Sequence, residues 1–357
     1  MKITPYKIDQ LTSDHWDSWS HWQANNSELT SPYFHPDFAR ATGNVRDDVE
    51  VAVLEEAGET VGLFPFQRVK GKMAKPLGGR LSDYQAVIGK PNLEFCPQQL
   101  IRSCGIQVWD FDHVLTSQTP FSDYTSVVDL SPYLDLSQGF ESYQSRLSKT
   151  GASELKQTLR KARKLEREVG KLRLEFSVVD DAVFQSMVKW KSAQYKETQV
   201  TDVFGFPWTV QLLRKLLDYR SPEFAGTLSV LYAGDEVVGI HMGMRSQHVL
   251  HWWFPTYNPQ FAQYSPGRIL LLQLAQACHA EGIGKIDLGR GGAPYKKRAM
   301  SGATSVSQGT VDLRPVHRVV REGWRVTREW LRNSPLRTPA RIPARMIYRL
   351  REWMEFR

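Results

Sequence analysis

The sequence has few cysteines, no long hydrophobic run and no apolar segment at its start. Its three cysteines, Cys96, Cys104 and Cys278, form no CxxC pair, which argues against a disulfide scaffold and against a cysteine-based metal site. No stretch approaches the ~20 apolar residues that a membrane-spanning helix needs. The first residues also lack the apolar core of a signal peptide. We therefore expect a cytoplasmic protein without a bound metal, whose cysteines serve in packing.

Basic charge is concentrated at one end of the chain. The net charge is +8, and residues 313–357 hold twelve Arg, no Lys and four Glu, so that residues 1–312 are neutral. A uniformly basic chain would point to nucleic acid, but this confinement weakens that interpretation for the body of the protein. Within residues 314–357, Arg recurs every three or four positions among three Trp residues. The pattern predicts a basic amphipathic tail that contacts an anionic membrane surface, its own domains or a second subunit.

The chain contains an internal repeat at an offset of 177 residues. Residues 51–68 and 228–245 align with six identities in eighteen positions, and each segment has the pattern of a strand, a polar turn and a second strand. At the same offset, residues 105–112 align with residues 282–289, and both contain a strand pattern after a Gly-Ile pair. The constant offset predicts two similar α/β domains in tandem. Two unrelated hairpins are the alternative.

One helix start in the second repeat has the features of a phosphate-binding site. Residues 263–268 read QYSPGR and lead without a break into an apolar run. Proline is tolerated in a first helical turn, and Gly267 allows a ligand to approach the backbone. The first N–H groups of a helix lack intrahelical partners, and this end is partly positive. The segment therefore predicts a phosphate seat, with an ordinary helix start as the alternative.

Seven stretches, in the same order along about residues 25–300, resemble the FemAB-like, CelD/BcsL-type branch of the GNAT acyltransferases, with its BioF2-like acetyltransferase domains. They are SPYFHPDFARA, GGRLSDYQAVI, RKARKLEREVG, WKSAQYKET, VLYAGDEVVGIHMGMRS, LHWWFPTYNPQFAQYSPG and IDLGRGGAPYKKR. The resemblance implies an α/β (α+β) fold with tandem GNAT-like domains at residues 1–145 and 146–313, followed by the basic helical tail, 314–357. Each domain is expected to hold a mixed, largely antiparallel sheet flanked by helices.

The resemblance also implies direct transfer of an acyl group from acetyl-CoA or another acyl-CoA to a sugar or lipid-linked saccharide, in polysaccharide biosynthesis. Such an enzyme is expected in the cytoplasm, with peripheral attachment to the inner face of the membrane if the tail binds lipid. Two further functions stay open. One is FemAB-type transfer from aminoacyl-tRNA, and the other is a non-catalytic role in polysaccharide assembly.

By the same resemblance, the segment before the long helix presents backbone N–H groups to the CoA pyrophosphate. The donor-binding residues are then Gln263, Ser265, Gly267, Arg268 and Ile269. The family pattern, Q/R-x-x-G-x-G/A, has one glycine more, so that Arg268 is expected to supply charge in its place. A helix with many Lys and Arg at residues 156–173 could track tRNA phosphates or an acidic sugar nucleotide, or could simply be a solvated face.

The candidate catalytic residues are His241, Asp287 and Tyr295. No Ser-His-Asp or Cys-His pattern indicates an enzyme nucleophile, which favours direct transfer. His241 stands where the first repeat has Phe64, and a histidine titrates near neutral pH. His251 is a second candidate, ranked below His241, and for either residue a role in the core is the alternative.

The candidate acceptor-binding residues combine aromatic, acidic and basic side chains. Aromatic faces stack on sugar rings, and a glycine-rich loop with charged residues has little value for packing. The eight residues are Asp83, Tyr84, Tyr195, Asp202, Trp253, Tyr257, Arg290 and Lys296. Asp83 and Tyr84 are included because of the family resemblance.

Overall fold

The computed structural model describes residues 1–150 and 152–314. Its strands are β1 (Lys2–Lys7), β2 (Val49–Glu56), β3 (Glu59–Val69), β4 (Met73–Pro76), β5 (Ile88–Gly89), β6 (Val108–Leu115), β7 (Thr125–Asp135), β8 (Leu172–Glu175), β9 (Phe224–Ala233), β10 (Glu236–Ser246), β11 (Val249–Tyr257), β12 (Lys285–Asp287) and β13 (Gly302–Asp312). Its α-helices are α1 (Ser13–Asn25), α2 (Pro36–Gly43), α3 (Pro97–Ser103), α4 (Phe140–Thr150), α5 (Ala152–Glu168), α6 (Asp181–Glu197), α7 (Pro207–Leu216), α8 (Pro266–Ala280) and α9 (Pro294–Ala299).

The predicted basic tail lies outside the described residues from position 315 onward, so its helices and its membrane contact stay predictions. In the part of the chain that the structure describes, no helix is both long and apolar enough to cross a membrane. Two of the three cysteines, Cys104 and Cys278, are buried as expected. The expectation that Cys96 packs in the interior is wrong, because this residue is exposed just before α3 begins.

Both hairpins that the repeat predicts are present. Strands β2 and β3 are joined through Ala57 and Gly58, both with positive φ, and strands β9 and β10 turn at Gly234, which also has positive φ. Backbone of this kind matches the right-handed twist of the flanking strands. Local sequence therefore determines these two turns.

The two halves of the chain share one mixed sheet and exchange their last strands. The strand order is β1-β2-β3-β4-β6-β13-β7-β12-β11-β10-β9-β8, with β5 paired to β3. Strands β7 and β13 stand at equivalent positions of the repeat, and they pair antiparallel at the centre of the sheet. Strand β7 pairs with β12 of the second half, and β13 pairs with β6 of the first half. The mixed α/β fold is confirmed, and the domain limits at 145 and 313 stay predictions.

The site depends on which face of this sheet each side chain occupies. Leu250, Trp252 and Ile286 pack in a core with α8. Side chains alternate between the two faces along a strand. His251 lies between Leu250 and Trp252, and Asp287 follows Ile286, so both side chains point to the other face. On that face α6, α7 and the first half of the chain form a second core.

Candidate active site

Two neighbouring parallel strands part at the centre of the molecule. Strand β11 pairs with β12 only over Val249–His251 and Lys285–Asp287. Strand β12 ends there, whereas β11 runs on for six residues to Tyr257, a distance of roughly 20 Å at about 3.3 Å per residue. His251 and Asp287 thus stand side by side where the parallel pairing stops, at the carboxyl end of β12, and ligand sites of α/β sheets gather at such strand ends.

His251 lies between two carboxylates, in a group that we call the Asp83–His251–Asp287 cluster. Its Nε2 atom is 3.0 Å from Asp83 Oδ2, and its Nδ1 atom is 3.8 Å from Asp287 Oδ1. Neither contact has the geometry of a well-aligned hydrogen bond. Both ring nitrogens face carboxylate oxygens. The imidazole has no exposed surface, so it acts through its neighbours.

Asp287 is a fixed support for the ring. It is 1% exposed and accepts hydrogen bonds from the Tyr84 hydroxyl at 2.5 Å, the Ser131 hydroxyl at 3.2 Å and the Gly289 N–H at 2.8 Å. Burial and then the charge of Asp287 raise the pKa of Tyr84 well above its usual value, so Tyr84 remains a donor. Asp287, with its oxygens occupied in this way, orients His251 and does not itself meet a substrate.

Asp83 is the member of the cluster that solvent can reach. Its side chain is 26% exposed, and His113 Nε2 lies 3.7 Å from its second oxygen. Burial alone would raise the pKa of Asp83, but His251, then His113 and Lys296, together hold it at about 2. The carboxylate is therefore ionised at neutral pH and ready to accept a hydrogen bond from an incoming N–H or O–H group.

The loop after β12 closes tightly over this carboxylate. Gly289 has φ +68°, and a Cβ atom placed on it would lie 2.5 Å from Asp83 Oδ2. Lys296 donates to the carbonyl oxygens of Gly289 and Arg290, each at 3.0 Å. Arg290 in turn donates to the Asp112 carbonyl oxygen at 2.9 Å. The predicted substrate residues Arg290 and Lys296 thus hold the loop beside Asp83.

Aromatic and basic side chains surround the exposed edge of Asp83. The ring of Tyr33 meets His251 edge-on at 5.0 Å, and the ring of Trp253 lies 5.7 Å from that of Tyr33. Lys191 of α6 donates to the Pro255 carbonyl oxygen at 2.9 Å and lies 5.3 Å from the ring of Tyr195. Burial, and then the charge of Lys296, lowers the pKa of Lys191 to about 8. Predicted acceptor residues Trp253 and Tyr195 therefore lie around the cluster.

Two other predicted acceptor residues lie elsewhere. Asp202 caps the short helix Val203–Gly205, accepting from the Phe204 N–H at 3.1 Å, and also accepts from the Ser192 hydroxyl. Tyr257, at the far end of β11, lies beside Gly267. The first residue thus has a structural role in its own loop, and the second belongs to the predicted donor site.

The predicted catalytic residues His241, Asp287 and Tyr295 are not brought together. The neighbours of His241 in β10, Ile240 and Met242, belong to the core that includes α6 and α7, so His241 faces α8. It is fully buried, stacks on Trp252 at 4.7 Å, and its Nε2 atom is 3.2 Å from the His251 carbonyl oxygen. Tyr295 also packs against the α8 core. Of the three, only Asp287 joins the cluster, and His251 takes the central position.

We expect His241→Phe to leave acyl transfer unchanged and to make the protein less sensitive to acid. Burial lowers the pKa of His241 to about 3, from 6.5 in a solvated histidine. Because the unfolded chain binds this proton first, His241 costs stability as the pH falls below 6.5. The free energy of unfolding of the wild type should drop by about 2 kcal/mol more than that of the variant between pH 7 and pH 5. Urea melts at both pH values measure this, and parallel losses would contradict it.

The predicted donor residues surround the start of α8. Ser265 adopts φ +55° and turns the chain, so that α8 begins at Pro266. A Cβ atom on Gly267 would meet only Tyr257 Cδ1, at 4.0 Å, so the space beside this first turn is open. A phosphate fits a helix start of this kind, because unpaired N–H groups and the helix dipole face it.

The charge at this helix start comes from α5. Lys161 donates to the Ser265 hydroxyl at 2.6 Å. Arg268, which the sequence suggested as the source of charge, pairs instead with Glu154 at 2.6 Å. The side chain of Ile269 is buried and that of Gln263 is exposed. Lys161 is therefore the cation that best fits a phosphate here.

In the described ranges 1–150 and 152–314, no group of three or more His, Cys, Asp or Glu is placed to hold a metal ion. The histidines and carboxylates of the cluster pair with one another and with hydroxyl groups instead.

Comparisons with known proteins agree with this geometry. A family model for the acetyltransferase (GNAT) domain matches residues 153–297, which include α5, β11, the start of α8 and Asp287. The chain carries a GNAT acetyltransferase domain. The enzyme class that the sequence predicts, an acyltransferase, is thereby confirmed. No curated protein sequence matches the chain.

Two solved structures share the fold over both halves of the chain. FemX superposes with a TM-score of 0.55 at 8% identity, over 90% of this chain and 99% of FemX. A tandem GNAT protein from the clavulanic acid biosynthesis pathway superposes with a TM-score of 0.50 at 10% identity, over 88% of this chain and 99% of the other. At such identities the likeness concerns the fold, and it confirms the tandem GNAT-like architecture.

Sequence reasoning missed Tyr33, Asp112 and His113, and it included Lys161 only as one of the basic residues of the helix 156–173. His113 was detectable in principle, since it lies in β6, the strand that aligns with β12 in the repeat. For the others the contacts join distant segments, as for Lys161 with Ser265. No local pattern in the sequence signals such contacts.

Proposed function

We propose that this GNAT acyltransferase moves an acyl group from acyl-CoA directly to an amine or hydroxyl group of a sugar or cell-envelope precursor. The supporting observation is the exposed, ionised Asp83 beside His251, at the point where β11 and β12 part. The open helix start at Gly267 lies beyond the far end of the same strand, β11. A long donor could thus have its phosphates at α8 and its reactive end near Asp83.

The CoA thioester supplies an activated acyl carbon. Asp83 accepts the N–H or O–H proton of the acceptor while the acceptor atom bonds to the acyl carbon and the C–S bond breaks, so that CoA leaves as a thiolate. His251 holds Asp83 in place, and Asp287 with Tyr84 orients the imidazole. Because the pKa of Asp83 is low, the proton then passes through solvent to the thiolate, which leaves as CoA thiol. His251, Asp287 and Tyr84 are positioning residues in this scheme.

The surroundings of Asp83 support a saccharide acceptor. Trp253, which is partly exposed and lies against the buried ring of Tyr33, offers aromatic surface on which a sugar ring can pack, and Lys191 and Tyr195 offer polar groups at the rim. An ionised carboxylate with aromatic walls also suits an amino sugar, since it attracts the amine and orients its N–H group.

One observation favours transfer from aminoacyl-tRNA as a second candidate. Several Lys and Arg side chains of α5, including Lys156, Arg160 and Arg163, are exposed, and α5 also carries Lys161 at the start of α8. A row of cations beside the donor seat could follow a phosphate backbone.

We expect acetyl-CoA to bind the wild type and to bind Gly267→Trp at least about tenfold more weakly, because an indole would fill the open space beside the first turn of α8. Calorimetric titration of the full chain measures both affinities. Gly205→Trp is the matched control, because Gly205 is exposed and a Cβ atom placed on it would meet no atom within 4 Å.

Equal affinities of the wild type and Gly267→Trp would remove the donor from this helix start. If acetyl-CoA does not bind the wild type, but aminoacyl-tRNA does and Gly267→Trp weakens it, the second candidate replaces the first.

A further inference from the structure

A polar cavity has Tyr84 and Asp287 in its wall but not Asp83. It has a volume of about 370 Å³, and both halves of the chain line it. Seven of its thirteen lining residues are Ser or Thr, from residues 27–31, 116–117 and 304–305. Hydroxyl groups donate and accept hydrogen bonds, so this wall suits a ligand that is itself rich in hydroxyl groups.

Ser31 has a buried hydroxyl group without a partner in this wall. The residue is 6% exposed, and its Oγ atom has no hydrogen-bond partner among the described residues. Leaving a buried hydroxyl unpaired costs about 1–3 kcal/mol. A ligand that hydrogen-bonds to Ser31 would recover this cost. With the ligand bound, a serine at position 31 is therefore more favourable than an alanine.

Lys285 brings a positive charge to the same cavity. Its Nζ atom lies 4.1 Å from the ring centre of Tyr133 and 3.4 Å from Thr304 Oγ1. Within the described part of the chain no carboxylate is in ion-pair range of it. Burial lowers the pKa of Lys285, against the opposing effect of Asp287 and Asp135. Glu28 and Asp287 also line the cavity, but the nearest contacts of this partly buried ammonium group are neutral, so it is left to pair with an anionic ligand.

We infer that this cavity binds an anionic sugar, with the charged group on Lys285 and the sugar hydroxyls on Ser31 and its Ser/Thr neighbours. The site is distinct from the acceptor groups around Trp253 and from the donor seat. This inference rests on the proposed function in one respect: the sugar would be a part of the acceptor that binds away from the reacting group.

The cavity is also mechanically connected to the catalytic cluster. Tyr84 and Asp287 form part of its wall, and the same two side chains position His251. A ligand that packs against Tyr84 therefore stabilises the arrangement that holds Asp83. Ligand binding in the cavity is thereby coupled, through Tyr84 and Asp287, to the positioning of Asp83 for acyl transfer.

The probes are glucose 1-phosphate, glucuronate and glucose, each titrated calorimetrically into the full chain. We expect both anionic sugars to bind more tightly than glucose. Lys285→Met, which keeps an unbranched side chain on the Tyr133 ring, should weaken the anionic sugars by about tenfold and leave glucose unchanged. Lys90→Met is the matched control, because Lys90 forms an exposed ion pair with Glu59 and neither residue lines the cavity. This variant should bind all three sugars as the wild type does.

Ser31→Ala separates a binding role from a structural one. Removal of an unpaired buried hydroxyl should leave the free protein as stable as before or slightly more stable, while sugar affinity falls severalfold. A loss of stability without a loss of affinity would assign Ser31 to the fold and overturn its role here.

Failure of this inference is distinguishable from failure of the proposed function. If acetyl-CoA binds and no anionic sugar does, or if Lys285→Met binds these sugars as the wild type does, the sugar site is refuted and the donor seat stands. If the sugars bind as expected and acetyl-CoA does not, the anionic sugar site stands and the proposed donor is refuted. A preference for only one of glucose 1-phosphate and glucuronate would identify the charged group.

Discussion

Asp83→Asn is expected to lower the turnover rate by about a thousandfold while acyl-CoA binds as before. Loss of a positioned proton acceptor typically costs between about a hundredfold and ten-thousandfold. The amide keeps the shape of the carboxylate but cannot take a proton, and it removes the negative charge that faces His251 at 3.0 Å. The donor seat is at the other end of β11, so its affinity should not change.

The measurement is steady-state release of CoA thiol with a saccharide acceptor, together with titration of the donor. Asp123→Asn is the matched control, because Asp123 is an exposed aspartate of the first half, and its variant should have wild-type turnover. A turnover rate of Asp83→Asn within about threefold of the wild type would contradict the role of Asp83. In that case a water chain or another group must accept the proton.

Gly289→Ala should lower turnover by about a hundredfold, although it adds one methyl group. The new Cβ would lie 2.5 Å from Asp83 Oδ2 and 3.3 Å from His251 Cε1. Asp83 can escape this contact only by moving away from His251. A displacement of about 1 Å at a reacting group is enough to cost about a hundredfold in rate.

A second glycine distinguishes this contact from backbone strain. Gly282 also has positive φ, +72°, but a Cβ there would meet no atom within 4 Å. Both alanine variants should lose about 1–2 kcal/mol of stability, the cost of a left-handed residue other than glycine. Only Gly289→Ala should lose turnover. Equal turnover in the two variants would show that the closeness of Gly289 to Asp83 has no catalytic consequence.

The sequence led to some residues of the site and misjudged others for an identifiable reason. Asp83, Tyr84 and Asp287 were all predicted, yet the sequence does not show that Tyr84 donates to Asp287 across 203 positions. His241 and His251 both lie in apolar strands, and nothing local distinguishes them. Only the pairing of β11 with β12 decides that His251 faces Asp287 while His241 faces α8.

At the donor site, too, the sequence predicted one feature correctly and misjudged another. The Ser-Pro-Gly segment predicted a helix start with space beside it, and the structure has α8 beginning at Pro266 beside an open Gly267. The sequence assigned the positive charge to Arg268, which is adjacent in the chain. In the structure Glu154 pairs with Arg268, and Lys161 takes its place beside Ser265. Charges pair by distance in space, so a neighbour in sequence is a poor guide to them.

By itself the sequence determined the repeat, the two hairpins and the glycine at the start of α8, because each depends on periodicity or on backbone preferences within a few residues. Only the tertiary structure decided the exchange of β7 and β13, the assembly of Asp83, His251 and Asp287, and the hydroxyl-lined cavity beneath them. These features join segments that are far apart in the chain. Their geometry follows from which strands pair within the sheet and from the face of the sheet that each side chain occupies.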